Sequence, residues 1–273
     1  MTRAADGRGC LRELRHQHDE GIVTYHLPIG DEEIDLNPLL GKTISLTATG
    51  KKTCIHCGRI VKKLYNGGYC YPCFSTLAEC DLCIVKPHEC HFHEGTCRDE
   101  SFGQSHCMIP HYVYLAVSSS VKVGLTRRGR QFIRWVDQGA SRAVLLAELP
   151  TRKDAGELEM EIAKFLPDKT DWRKMLAHAV ADPSIDLTEV KQDVIRRIPA
   201  THQAFVLHED FTVHEFVYPR LDDQAVVTKS ISMDKQPTVE GKLIGIKGQY
   251  LLLDDGVLNI KKHSGYEISV HID

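Results

Sequence analysis

Short apolar runs separated by turn residues fill both ends of this chain, and helical spacing appears only in its middle. Near the start, Ile22-Val23-Thr24-Tyr25, Ile34-Asp35-Leu36 and Ile44-Ser45-Leu46-Thr47 are punctuated by Gly30, Pro38, Gly41 and Gly50. Runs of that length between glycine and proline predict short β-strands. From His111 the pattern predicts a strand over Tyr112–Val117, a serine turn at 118–120 and a return strand over Val121–Leu125. Helical spacing follows at 127–138, then a strand at 143–147. Further helices are expected over 154–166, 171–181 (Thr170 as N-cap) and 187–198.

The pattern is β again from Gln203. Apolar runs at 204–207, 213–217, 225–227, 242–246, 250–253 and 257–260 predict strands, with Asp255-Gly256 as a hairpin turn. This tail, joined by residues 22–49, reads as a small barrel. The fold class is therefore α+β: a small ββαβα core with added helices, and a β-rich tail. The changes of texture divide the chain into residues 1–50, 51–107, 108–200 and 201–273.

Cysteine dominates the second of these segments. Cys54-Cys57, Cys70-Cys73 and Cys80-Cys83 are CxxC pairs, each placing two thiolates on one tight turn. The first two pairs, twelve residues apart, predict a closed four-cysteine zinc site of zinc-ribbon type. Cys80, Cys83, Cys90 and Cys97 form the simplest second set, in which His91 or Cys107 can replace one member. Four protein ligands leave no open position for water, so both sites read as structural. Cys10 reads as a bystander. The module is too poor in aliphatic periodicity to fold without metal, whose binding would supply folding free energy directly.

Composition and charge narrow the classes. The net charge of −3 over 273 residues argues against a wholly basic coat protein for nucleic acid. Local charge differs: from Val121 to Lys153 there are eight basic residues against two acidic ones. Lys51, Lys52, Arg59, Lys62 and Lys63 surround the first cysteine pairs with no acid among them. Such patches attract phosphate locally, so Lys62, Lys63, Arg127, Arg128 and Arg130 are candidate nucleic-acid contacts, with Tyr65, Tyr69 and Tyr71 as stacking rings. No stretch approaches the ~20 apolar residues of a membrane helix, and the first residues lack the apolar core of a secretory signal. A cytoplasmic location, where thiols hold metal rather than pair, is expected.

The helix expected over 154–166 contains one anomaly. Its apolar stripe is Ala155, Leu158, Ile162 and Leu166, and Glu159 falls on the inward side. An inward carboxylate needs a cation or a metal as partner.

The order of features is informative: a tyrosine strand, a tight turn, the strand Lys122-Val123-Gly124-Leu125-Thr126, an arginine-bearing helix, a third strand, and a helix with an inward glutamate. This order resembles the GIY-YIG nuclease superfamily over about residues 111–166. Tyr112-Val113-Tyr114 stands where GIY would be and Lys122-Val123-Gly124 where YIG would be. The resemblance implies Tyr114 shaping or activating the nucleophile with Lys122 beside it, Arg134 on the scissile phosphate and Glu159 on a magnesium or manganese ion. Two positions depart from the pattern: Tyr112 replaces the first glycine, and Lys122 replaces the second tyrosine.

A longer string resembles a bacterial family in which a cysteine-rich segment precedes this core. It runs through Gly68-Tyr69-Cys70-Tyr71-Pro72-Cys73, Gly95-Thr96-Cys97-Arg98 and Arg134-Trp135-Val136-Asp137-Gln138-Gly139-Ala140. The expected function is a zinc-containing, divalent-metal-dependent phosphodiesterase acting on DNA or RNA. Two alternatives stand beside it: a nucleic-acid-binding protein with a degenerate nuclease core, and an interaction protein whose zinc cluster senses thiol chemistry.

Overall fold

The computed structural model describes residues 7–166, 170–177, 182, 184–221 and 224–273. In chain order its first strands are β1 (Gly7–Cys10), β2 (Arg15–Asp19), β3 (Ile22–Ile29), β4 (Glu32–Asp35), β5 (Thr43–Thr53) and β6 (Ile60–Val61). Helices α1 (Tyr71–Thr76) and α2 (Glu100–His106) follow, with short 3-10 turns between them. Next come β7 (His111–Val117), β8 (Val121–Arg127), α3 (Gln131–Asp137), β9 (Arg142–Leu149), α4 (Arg152–Ala163), α5 (Trp172–Ala177) and α6 (Leu187–Arg197). The remainder is β10 (His214–Glu215), β11 (Ser230–Ile231), β12 (Thr238–Lys247), β13 (Tyr250–Leu253), β14 (Gly256–Asn259) and β15 (Tyr266–Ile272). The fold is mixed α+β, as the patterning predicts.

The chain divides into two compact units. One takes the residues up to Phe74 together with Val217–Asp273, and the other is Ser75–Phe216.

In the discontinuous unit, one sheet runs β1-β15-β5-β12-β13-β14-β11 with β6 paired to β5, and a second runs β2-β3-β4. Strand β12 serves two partners: Thr238–Lys242 pair with β5, and Leu243–Lys247 pair with β13. The sheet stays open, ending at β1 and at the two-residue β11, and no closed barrel forms among the described residues. That corrects the barrel expected for the tail, whose strands 22–29 and 32–35 belong to the separate sheet. The β13–β14 hairpin turns on Asp254-Asp255, and Gly256 pairs with Leu253 as the first residue of the return strand. A Cβ there would lie 2.7 Å from the Lys229 carbonyl oxygen, which explains the glycine. The apolar run at 225–227 makes no strand, and the run at 204–207 opens instead on a 3-10 turn, Ala200–Phe205.

In the other unit, the sheet order is β10-β9-β7-β8, with β7 antiparallel to both β8 and β9. Alternation along β7 sends Val113, Leu115 and Val117 to one face and Tyr112, Tyr114 and Ala116 to the other. The first face joins Val123, Leu125, Val144 and Leu146 against Ala155, Leu158 and Ile162 of α4 and Leu187 and Val194 of α6. Each buried valine, leucine or isoleucine of this layer contributes about 1.5–3 kcal/mol. Trp135 of α3, fully buried, meets the Tyr114 ring edge-on at 5.8 Å between ring centres.

Helix boundaries shift from those expected, for local reasons. Arg127 ends β8, and Gly129 at φ +82° makes the turn, so α3 starts at Gln131. Helix α4 starts early because Thr151 caps it, its side chain accepting from the Asp154 N–H. The helix expected over 171–181 is seen as Trp172–Ala177, residues 178–181 lying outside those described.

Candidate metal centre and candidate phosphate-handling site

The first two CxxC pairs converge. Cys54 and Cys57 sit on a tight turn after β5, closed by the Gly58 N–H on the Cys54 carbonyl (3.0 Å) and by Gly58 at φ +72°. Cys70 follows a second turn, at Tyr65–Tyr69, and Cys73 lies on α1. The Ile55 N–H donates to the Gly68 carbonyl (2.9 Å) and pins one turn to the other. A Cβ on residue 68 would lie 2.7 Å from the Ile55 side chain, so only glycine permits this approach.

All four sulfurs lie within 4.8 Å of one another, and Cys57 Sγ is 3.7 Å from Cys70 Sγ. Tetrahedral zinc with bonds of about 2.3 Å requires sulfurs about 3.8 Å apart. The geometry fits a closed structural zinc site. Burial opposes ionisation of Cys54, but the backbone N–H groups of Cys57, Cys70 and His56 overcome it and bring its thiol down to about 6. Cys73 is pushed up, by desolvation and by the other three thiols. Four thiols so close cannot all ionise without a cation between them.

The basic residues near this site have unequal freedom. Lys51 pairs with Glu267 (2.9 Å) and Lys52 with Asp234 (2.8 Å). Arg59, Lys62 and Lys63 are exposed, and Lys63 Nζ lies 4.7 Å from the centre of the Tyr65 ring. Tyr65 itself stacks on Phe74 and meets Tyr71 edge-on, leaving Tyr71 the most exposed of the three rings at 62%.

In the other unit, the residues implied by the nuclease resemblance are linked through Gln138 and through their charges around Tyr114. Tyr114 on β7 is fully buried and faces Gly124 on β8 as its direct cross-strand partner. Its hydroxyl donates to Gln138 Oε1 (2.9 Å), just past α3. Lys122, only 3% exposed, donates to the same oxygen (2.8 Å) and to Thr170 Oγ1 (2.9 Å). Burial raises the Tyr114 pKa. The Arg134 guanidinium draws it down by charge and hydrogen bonding, and Glu159 adds to the rise. Arg134 from α3 and Glu159 from α4 thus both act on a tyrosine of β7. Arg134 is exposed and Glu159 half-buried.

Arg152, the first residue of α4, was not evident from sequence. Its Nη2 donates to the Ile84 carbonyl (2.5 Å) and its backbone N–H to the Cys107 carbonyl (2.8 Å). Its Nε, though buried, has no hydrogen-bond partner among the described residues. Burial lowers its pKa, with Cys107, Arg134, Cys83 and Glu159 all within electrostatic reach. His111 is also buried, and its Nδ1 donates to the Ile109 carbonyl (2.7 Å). Burial, with Arg152 and Arg127 nearby, brings this imidazole down to about 4, so it is neutral near pH 7.

Arg127 is partly buried at the end of β8, its pKa lowered by burial and by Arg130. Arg128 and Arg130 lie exposed on the turn into α3, Arg128 paired with Glu148 (3.0 Å). Together these groups make a largely cationic cluster, with Glu148 against Arg128 and Glu159 within electrostatic reach of Arg152.

The family profile described as "Protein of unknown function (DUF2797)" matches residues 41–268. The chain belongs to this family. The DUF2797 match runs from just before β5 into β15, so it takes in both the four-cysteine site and the Tyr114 cluster. No curated protein and no solved structure matches the chain.

The second cysteine set lies in the same unit as Tyr114. Cys83, Cys90, Cys97 and Cys107 line one small cavity, with Asp81 and His91 among the other lining residues. Cys80 is buried but is not part of that lining. Asp81, Cys83 and His91 are the other set of donors, among the described residues, within 4.8 Å of one another. No described helix is long and apolar enough to cross a membrane.

Proposed function

We propose that this protein handles nucleic-acid phosphodiesters at the Arg134–Glu159 cluster and hydrolyses them with a divalent metal. The observation that carries this reading is that Arg134 from α3 and Glu159 from α4 both lie within electrostatic reach of the Tyr114 hydroxyl. The strand–turn–strand–helix–strand–helix order beneath it supports a divergent GIY-YIG-type core. Arg134, exposed, is the clamp on the phosphate, with Arg127 and Arg130 extending the cationic surface. Glu159 is the protein ligand for magnesium or manganese, an ion that commonly uses one or two carboxylates. Such an ion activates a bound water and stabilises the charge that develops on phosphate oxygens. With Arg134 and Arg152 close by, a bare cation is repelled, so the ion binds together with the phosphate that offsets those charges.

Tyr114 and Lys122 are positioning residues in this reading. Both are buried and both donate to Gln138, so neither is placed to take a proton from water. The same observation favours a second reading, in which the core binds nucleic acid without cutting it.

The test is incubation of the purified chain with single-stranded, duplex and branched DNA and RNA, with magnesium or manganese. Cleavage that falls about a hundredfold or more in Arg134→Ala, and is lost in Glu159→Gln, is expected. Binding without cleavage would overturn hydrolysis and leave the second reading. Neither binding nor cleavage would overturn both.

A further inference from the structure

We propose that Cys83, Cys90, Cys97 and Cys107 bind a second zinc ion, and that Arg152 ties this ion to α4. The inference rests on the cysteine segment alone and stands whether or not the chain is a nuclease.

Cys83, Cys90, Cys97 and Cys107 line one small cavity, though their sulfurs do not all lie within 4.8 Å of one another, and the elements that hold them are short turns. Cys83 lies in the 3-10 turn Leu82–Ile84, and Cys90 ends the turn Pro87–Glu89. Cys97 precedes α2, and Cys107 caps its C-terminus, its N–H donating to the Gly103 carbonyl (2.8 Å). Little apolar burial supports these turns, and Leu82 and Val85 are 54% and 73% exposed. A segment of this kind needs a cross-link to hold its shape, and none of these cysteines is in a disulfide. A four-thiolate site for zinc supplies that link.

Asp81 and His91 have partners of their own, as Cys97 has in the Asp99 carbonyl (3.2 Å). Asp81 Oδ2 accepts from Arg98 Nε at 2.7 Å, and the Asp81 side chain also caps the Cys83 N–H. His91 Nδ1 meets Thr96 Oγ1 at 2.8 Å. These groups fit an outer layer that orients the thiolates and tunes their charge.

Arg152 fits the same layer from the other side. It joins the Ile84 and Cys107 carbonyls, and its guanidinium offsets the double negative charge of a zinc with four thiolates. Gly156, one helical turn on, lies so close to the Cys83–Cys90 loop that a Cβ would be 2.6 Å from the His88 nitrogen. The loop therefore packs directly on the helix that carries Glu159.

Metal analysis of the purified full chain tests the proposal. The wild type should hold about two zinc ions, one for each set of four thiolates. Cys90→Ser and Cys107→Ser should each hold one, while Cys80→Ser and His91→Ala should keep both. A wild type with one zinc would overturn the proposal. So would loss of an ion from Cys80→Ser or His91→Ala, or its retention in Cys107→Ser. Should Cys107→Ser fail to fold, cobalt titration of the wild type decides. Sulfur-to-cobalt absorption that keeps rising to a second equivalent supports the site, and a plateau after the first overturns it.

Discussion

Tyr114 lies across from Gly124, and a Cβ on residue 124 would stand 2.6 Å from the tyrosine hydroxyl oxygen. The glycine makes room for the ring that Trp135 and Gln138 hold in place. Gly124→Ala should destabilise the 75–216 unit by about 1–3 kcal/mol through overpacking. Urea denaturation followed by tryptophan fluorescence measures it, since Trp135 reports on that ring. An unchanged midpoint would mean that Tyr114 has another rotamer available.

Gln138 accepts from two buried donors, Tyr114 and Lys122. Gln138→Leu should cost about 1–3 kcal/mol, because a buried hydroxyl loses its acceptor and a buried ammonium loses one of its own. With Tyr114→Phe added, the two losses should fall short of their sum by about 0.5 kcal/mol or more. Strict additivity in the double-mutant cycle would contradict the shared acceptor.

His111 gives the fold an acid-sensitive element. Its imidazole titrates at about 4 in the folded chain against 6.5 for the free group, because burial excludes the charged form. The unfolded chain therefore binds more protons between those values. Its contribution is complete above pH 6.5 and is lost as pH falls towards 4, by about 3 kcal/mol in all. His111→Gln should flatten the stability profile over that window. A slope equal to that of the wild type would exclude His111 as its source.

Removal of zinc from Cys54, Cys57, Cys70 and Cys73 should loosen the turns that those residues anchor. Under a chelator, hydrogen exchange at Cys54, Ile55 and Tyr69 should rise to the rates of open turns, while β13 and β14 keep their protection. Protection that survives complete metal loss at residues 54–73 would show that the turns hold themselves.

Much of this architecture can be read locally. Cys54, Cys57, Cys70 and Cys73 declare themselves because a CxxC turn fixes its own geometry. The β7–β8 hairpin shows in two apolar runs about a serine turn. Other features depend on partners distant in sequence. Arg152 gains its place from the carbonyls of Ile84 and Cys107, and Gln138 from Tyr114 and Lys122; no local pattern marks either. Strand β2, Arg-His-Gln-His-Asp, is wholly polar, and only its pairing with β3 makes it a strand. Thr151 was legible in principle, since threonine three residues before Asp154 is a capping signal. The Ala204–Leu207 run misleads, because four apolar residues suit a turn as well as a strand.

The discontinuous unit has a consequence for synthesis. Thr47 and Thr238, 191 residues apart, meet at 3.1 Å across β5 and β12. On a ribosome, residues 75–216 emerge whole while β5 still lacks both of its long neighbours, β12 and β15. A nascent chain therefore carries an open strand edge, the kind that recruits other chains, throughout translation of the inserted unit. All four cysteines of the candidate zinc site precede that insertion, so metal capture there would fasten the base of β5 before its partners exist.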